Sequence, residues 1–276
     1  MKLMVYAYTI TETSKSALLE LGIALNKYHD DIVLSGGWAP YFITNGYFNH
    51  CGSQDIDLVL KTEIVLKYET IRDILEGLGY IPIAYRPFQF TRKIKSHIDG
   101  SECDIRLDIL CEKEGTGNID IISGCHDVQQ DLTACVFDGL SLAFDFNFEQ
   151  EIETVLPNNR GIAKTSIKVL DLVGSLALKG KAFVERYNAK DAYDIFALTH
   201  YKGGPALASE YFKETVSGKV LSATKQKLLE QSIININDGF KDKHQRGPFD
   251  VESFSEQKYN RDIVAAQVRQ FLTKIS

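Results

Sequence analysis

Beyond one turn-rich run the apolar period of this chain becomes helical and stays so, and that change limits its possible folds more than any other feature. Before the turn-forming run Pro157-Asn158-Asn159-Arg160-Gly161, apolar residues recur mainly at every second position, the spacing of half-buried strands. After it they recur at three- and four-residue steps, the spacing of amphipathic helices. The chain is therefore expected to be α+β, with a sheet-rich domain over 1–160 and a C-terminal helical domain over 161–276. A length of 276 residues suits two such domains.

In the first part, 13–28 places Ala17, Leu18, Leu21, Ala24 and Leu25 on one helical face. A strand at 32–34, the breaker Ser35-Gly36-Gly37 and a helix at 38–44 follow, with Pro40 tolerable in that helix's first turn. Ile56, Leu58 and Leu60 alternate with Asp55, Asp57 and Val59, which predicts a strand with one buried face. Thr62 is expected to cap a helix reaching Leu78, where Gly79 stops it. Further strands are predicted at 81–94, 103–111, 132–137, 140–146 and 152–155. The second part predicts helices at 166–184, 189–201, 205–216, 223–238 and 255–274, with 241–250 as loop.

A net charge of −6 argues against a protein that coats nucleic acid through a general positive field. No window holds the roughly 18 apolar residues that span a bilayer, and Met1-Lys2-Leu3-Met4-Val5 does not open a signal peptide, so a cytoplasmic protein with no membrane partner is expected. Five cysteines without a Cys-x-x-Cys spacing indicate neither a disulfide framework nor a zinc ribbon and read as buried thiols. Arg86, Arg92, Lys93 and Lys95 beside Tyr85, Phe88 and Phe90 suit a phosphate backbone or, more simply, a solvated strand with a buried aromatic face. Trp38 reads as a core residue, and none of the six histidines forms a catalytic pairing.

The chemistry concentrates in Ser35-Gly36-Gly37 and Asp55-Ile56-Asp57-Leu58. Residues i and i+2 of a strand point the same way, so Asp55 and Asp57 present two mutually repelling carboxylates on one face. A divalent cation relieves that repulsion, and an oxygen-rich site suits Mg²⁺, which keeps waters and takes phosphate oxygens. Glycines between a strand and a helix let the backbone approach a ligand, and amides there favour an anion such as a triphosphate. A third carboxylate is expected from 103–111, where Asp104, Arg106 and Asp108 lie opposite Ile105, Leu107 and Ile109. Asp108 is the choice because aliphatic neighbours flank it, and Asp104 reads as a strand-end surface charge.

These residues resemble a known family. Leu34-Ser35-Gly36-Gly37 with Asp55-Ile56-Asp57-Leu58 is similar to the signature of the DNA polymerase β-like nucleotidyltransferase superfamily, and Arg106-Leu107-Asp108-Ile109-Leu110 resembles its third-carboxylate strand. The gap from Gly37 to Asp55 is similar to that of the abortive-infection AbiEii toxin branch. Leu178-Lys179-Gly180-Lys181-Ala182 and Ala189-Lys190-Asp191-Ala192-Tyr193-Asp194-Ile195 resemble that branch's lysine motif and its Lys-Asp-x-x-Asp motif.

The resemblance implies a nucleotidyltransferase-type mixed sheet flanked by helices and transfer of a nucleoside monophosphate from a nucleoside triphosphate. Asp55, Asp57 and Asp108 would hold two Mg²⁺ ions and, with Lys179, form the catalytic set. Ser35, Gly36, Gly37, Ser53, Lys179 and Asp191 would bind the nucleotide. Lys179 can offer a phosphate a point charge, and Asp191 and Asp194 share a helix face from which they can orient it. Lys190 with Asp194 also reads as an ordinary i,i+4 surface pair. Transfer RNA and a cognate antitoxin protein are the partners that the toxin branch implies. A small molecule such as an aminoglycoside, or a protein side chain, is the alternative acceptor, and a non-catalytic relative that binds a nucleotide or partner is the alternative from another class.

Overall fold

Alternating burial makes the sheet and periodic burial the helices; the strands fall in one unit together with some of the helices, and the longer helical run falls in another. The computed structural model describes residues 8–67, 69–112 and 124–275. These form a sheet unit, 8–38 with 52–170, and a helical unit, 39–51 with 171–275.

The sheet unit opens with helix α1 (Tyr8–Ala24) and strand β1 (Ile32–Leu34), after which α2 (Trp38–Ile43) leads out of it. It resumes with β2 (Ile56–Leu60), α3 (Ile71–Gly77), β3 (Ile81–Ile83), β4 (Arg86–Lys95) and β5 (Glu102–Glu112). Then come β6 (Cys125–Gln129), β7 (Leu132–Phe137), the short α4 (Leu142–Asp145), β8 (Asn147–Val155) and β9 (Ile162–Leu170). The strand order is β3-β4-β5-β2-β1-β9-β8, with β7 also paired to β5 and β6 to β7. The sheet is mixed: β2 runs parallel to β5, and β1 to β9, whereas β1 and β2 are antiparallel. The fold is therefore α+β, a mixed sheet flanked by helices.

Helix α1 covers one face of the sheet. Its Leu18 and Leu21, and Leu25 just past its end, line a small cavity of about 40 Å³ with Leu34, Leu58 and Ile167. A Cβ at Gly22 would press on the side chains of Thr165 and Ile167, so the glycine allows helix and strand to close. Leu58 faces α1, and alternation turns Asp57 to the opposite face.

Several elements depart from the sequence pattern. The helix expected from Thr62 starts at α3, where the Thr70 hydroxyl accepts the Asp73 amide at 3.0 Å. The segment expected as a strand at 140–146 turns through α4, and the strand that follows is longer than predicted. Of the helix expected at 166–184, the first part is strand: β9 pairs residue for residue with β8 from Ile162 to Leu170. Cross-strand pairing overrides local propensity there, and the helix begins only after Asp171, whose carboxylate accepts the Gly174 amide at 2.9 Å. The sheet unit thus extends through β9, past the turn formers at 157–161.

The helical unit holds α5 (Leu172–Glu185), α6 (Ala189–Leu198), α7 (Pro205–Ser217), α8 (Ala223–Gly239), α9 (Arg246–Phe254) and α10 (Arg261–Ile275). Helix α9 occupies part of the stretch expected as loop; its Pro248 sits in the first turn, where no intrahelical amide bond is lost. A Cβ at Gly180 would meet the Ser232 carbonyl, so α5 and α8 approach backbone to backbone. Phe48 joins this unit's core against Tyr193, Phe196, His200 and Tyr259, with ring centroids 4.5–5.8 Å away.

Candidate active site

The register of β2 on β5 puts Asp57 directly opposite Asp108. Directly paired residues point to the same face, and Asp55, in the bend just before β2, is near enough for its charge to act on Asp108. All three are half-buried, whereas the intervening Ile56, Leu58, Leu107 and Ile109 are buried on the other face. Asp104 is exposed and lies opposite Lys93 of β4, so the structure brings Asp108, not Asp104, beside Asp57. Burial pushes the Asp108 carboxyl above its ordinary value and the Asp55 charge adds to that, while a hydrogen bond from Gln89 and the charges of Arg106 and Arg86 oppose it.

Gln89 was not legible in the sequence. It lies opposite Asp108 in β4, is buried, and its Nε2 donates to Asp108 Oδ1 at 2.6 Å. Arg86 Nη1 donates to Gln89 Oε1 at 3.3 Å, which fixes the amide with its NH₂ toward the carboxylate. Only the cross-strand register could have revealed this pairing.

The glycine turn is tied to Asp57. Gly36 has φ +64°, and a Cβ built there would fall inside the Asp57 carboxylate. The Ser35 amide donates to the Asp57 carbonyl at 2.8 Å, so that amide belongs to the sheet and Gly36 and Gly37 supply the next two. Ser53 also braces the backbone: its hydroxyl donates to the Asp55 carbonyl at 3.1 Å. Gly36→Ala is expected to cost about 1–3 kcal/mol through the left-handed backbone and the forced move of Asp57, read as a lower urea midpoint at unchanged slope.

The basic stretch on β4 is mostly paired internally. Arg92 and Arg160 both engage the buried Glu20, and Lys93 bonds Glu102 at 2.8 Å. Of the three aromatics Phe90 is buried, Phe88 half-buried and Tyr85 fully exposed, so the buried aromatic face of the simpler sequence reading is confined to the strand itself. Trp38 is fully buried, as a core residue should be.

In the helical unit, Lys179 is buried and its ammonium lies 3.0 Å from Asp191 Oδ1 and 2.6 Å from Asp194 Oδ2. Arg186 grips Asp191 with two bonds, at 2.8 and 2.9 Å. Lys190 approaches Asp194 at 3.2 Å and His50 Nε2 meets the same carboxylate at 3.0 Å. Lys190 and Asp194 are an i,i+4 pair, but a buried one rather than the surface pair the sequence allowed. Burial alone would raise Asp194, yet Lys179, Lys190 and His50 hold it well below the carboxylate range. Burial lowers Lys179, but Asp194 and Asp191 outweigh it and raise the ammonium above its ordinary value. Burial also lowers His50, which stays neutral and serves Asp194 as a donor. His50 gave no signal in the sequence because its partner is 144 residues away.

Among the described residues, no group of three or more His, Cys, Asp or Glu side chains is arranged to hold a metal ion. Asp57 and Asp108 bring carboxylate oxygens side by side on one face, the hard ligand type that suits Mg²⁺ where waters and ligand oxygens complete its shell. No described helix is long and apolar enough to cross a membrane.

No family model matches this chain, and no curated protein does. A solved structure of an H. pylori protein, provisionally titled a nucleotidyltransferase, is 10% identical over 91% of this chain and 98% of its own, with a TM-score of 0.27. A likeness at that score bears on neither fold nor chemistry.

Proposed function

We propose that this protein is a Mg²⁺-dependent nucleotidyltransferase that moves a nucleoside monophosphate from a nucleoside triphosphate to an acceptor hydroxyl. The observation that carries the reading is the β2–β5 register, Asp57 opposite Asp108 with Asp55 near enough to act on Asp108 and the Gly36 turn against Asp57. Asp55, Asp57 and Asp108 would hold Mg²⁺, two ions in the full site, whose positive charge offsets that of the triphosphate. The Gly36 and Gly37 amides would face its phosphate oxygens. Gln89 takes one lone pair of Oδ1, so Asp108 keeps the other and both of Oδ2 for the metal and for the acceptor's proton.

Lys179 and Asp191 enter this reading differently from the resemblance. For Lys179 to offset charge on a phosphate, its ammonium would have to exchange one carboxylate partner for a phosphate oxygen. Transfer RNA is the first acceptor to test, since the lysine motifs resemble the toxin branch; a cognate antitoxin would follow from the same branch.

Incubation with each labelled nucleoside triphosphate, Mg²⁺ and total RNA, an aminoglycoside or a protein substrate tests the reading. Transfer to one acceptor class is expected, and a steep fall of binding with salt marks RNA. Absence of nucleotide binding by calorimetry together with absence of transfer to every acceptor would overturn it. Gln89→Leu is expected to lower transfer by about 10- to 100-fold, the range for losing a group that orients a metal ligand. Initial rates across a Mg²⁺ titration check this.

A further inference from the structure

Cys111, Cys125 and Cys135 lie at one end of the sheet, on β5, β6 and β7. Cys125 and Cys135 are direct partners in the antiparallel β6–β7 ladder. The Val136 amide donates to the Gly124 carbonyl at 2.9 Å, so the adjacent pair, Cys125 with Cys135, is of the non-hydrogen-bonded kind. Pairs of that kind bring their Cα atoms to about 4.5 Å, inside the roughly 4.4–6.8 Å that a disulfide spans, with both side chains on one face. Cys111 is differently placed. It lies opposite Val136 in the parallel β5–β7 pairing, whereas Leu110 lies opposite Cys135, so Cys111 points to the other face.

We propose that Cys125 and Cys135 are a thiol–disulfide exchange site whose oxidant is a low-molecular-weight disulfide. The half-buried Cys135 is the point of entry and Cys125, more deeply buried, the resolving thiol. Cys135 Sγ, as thiolate, attacks one sulfur of the external disulfide, breaking its S–S bond and releasing one thiolate. Cys125 Sγ then displaces the second, so that one protein S–S bond forms, two cysteine protons pass to the two leaving thiolates, and the external disulfide is reduced. Leu110, the partner of Cys135, is two residues beyond Asp108, so the site occupies the carboxylate face of the sheet. It stands independently of the nucleotidyl reading.

Burial holds the Cys135 thiol up at about 11, which makes the exchange slow at neutral pH and sets the conditions of the test. The folded chain is incubated with oxidised glutathione at about pH 8.5, where more thiolate is present. Remaining thiols are then alkylated, and the chain is cleaved before Asp127 and Asp131, which separates the two cysteines. The expected result is a Cys125 peptide joined to a Cys135 peptide, with two of the five thiols lost and both restored by dithiothreitol. Cys125→Ser should leave Cys135 as a persistent glutathione adduct. Recovery of both cysteines alkylated, separate adducts that never resolve, or a bond from either to Cys111 would overturn the proposal.

Discussion

Asp57→Asn is expected to lower nucleotidyl transfer by about a thousandfold while leaving the protein folded and at least as stable as the parent. The two effects have one cause. Asp57 and Asp108 share a face and Asp55 acts on Asp108 from just before β2, so each ionised carboxylate repels the others unless a cation sits among them. Removing one charge relieves that repulsion and removes a ligand together. Asp108→Asn should behave alike, whereas Asp104→Asn, exposed and opposite Lys93, should keep near-parent activity. Mg²⁺ should raise the unfolding temperature of the parent by mass action and shift that of Asp57→Asn far less. The measurement is initial rate beside thermal midpoint, with and without Mg²⁺. A fully active Asp108→Asn beside an inactive Asp104→Asn would move the third carboxylate to Asp104.

The second large effect lies in the helical unit. Asp194→Ala is expected to destabilise the protein by about 3–5 kcal/mol, because it leaves Lys179 and Lys190 buried without the carboxylate that faces both. Lys179→Met should cost less: Asp194 keeps Lys190 and His50, and Asp191 keeps Arg186. Urea midpoints of the two variants decide the order. The same cluster sets an acid response. His50 is lowered below its ordinary 6.5 by burial, so the unfolded chain takes up a proton there first and stability starts to fall as pH drops below about 6.5. Asp191 and Asp194, lowered from 3.8, add stability that is complete above that value and lost as pH falls through their folded values. Two stages of weakening are therefore expected in urea midpoints taken from pH 7 to 3. In His50→Asn the upper stage should shrink to the share of His200, which burial also lowers.

Local chemistry was legible where it depends on neighbours in sequence. Asp57 faces away from Ile56 and Leu58 because a strand alternates, and Gly36 stands at a turn that needs positive φ. Contacts that depend on pairing distant strands were not. Gln89 reaches Asp108 only through the β4–β5 register, and 166–170 joins β9 because β8 pairs with it, although the residues alone continue a helical pattern. Lys190 and Asp194 show the same limit in another form: their spacing gives the pair, but burial makes it a buried one.

By itself, then, the sequence determined the α+β class, the position of the glycine turn and the outward face of Asp57 on β2, because each follows from local turn chemistry or a backbone repeat of two or 3.6 residues. The tertiary structure set Asp108, the carboxylate the sequence favoured, directly opposite Asp57, and it alone decided that Gln89 holds it and that Lys179 is enclosed by Asp191 and Asp194. Those outcomes depend on register and burial, which arise only when segments far apart in the chain pack and exclude water.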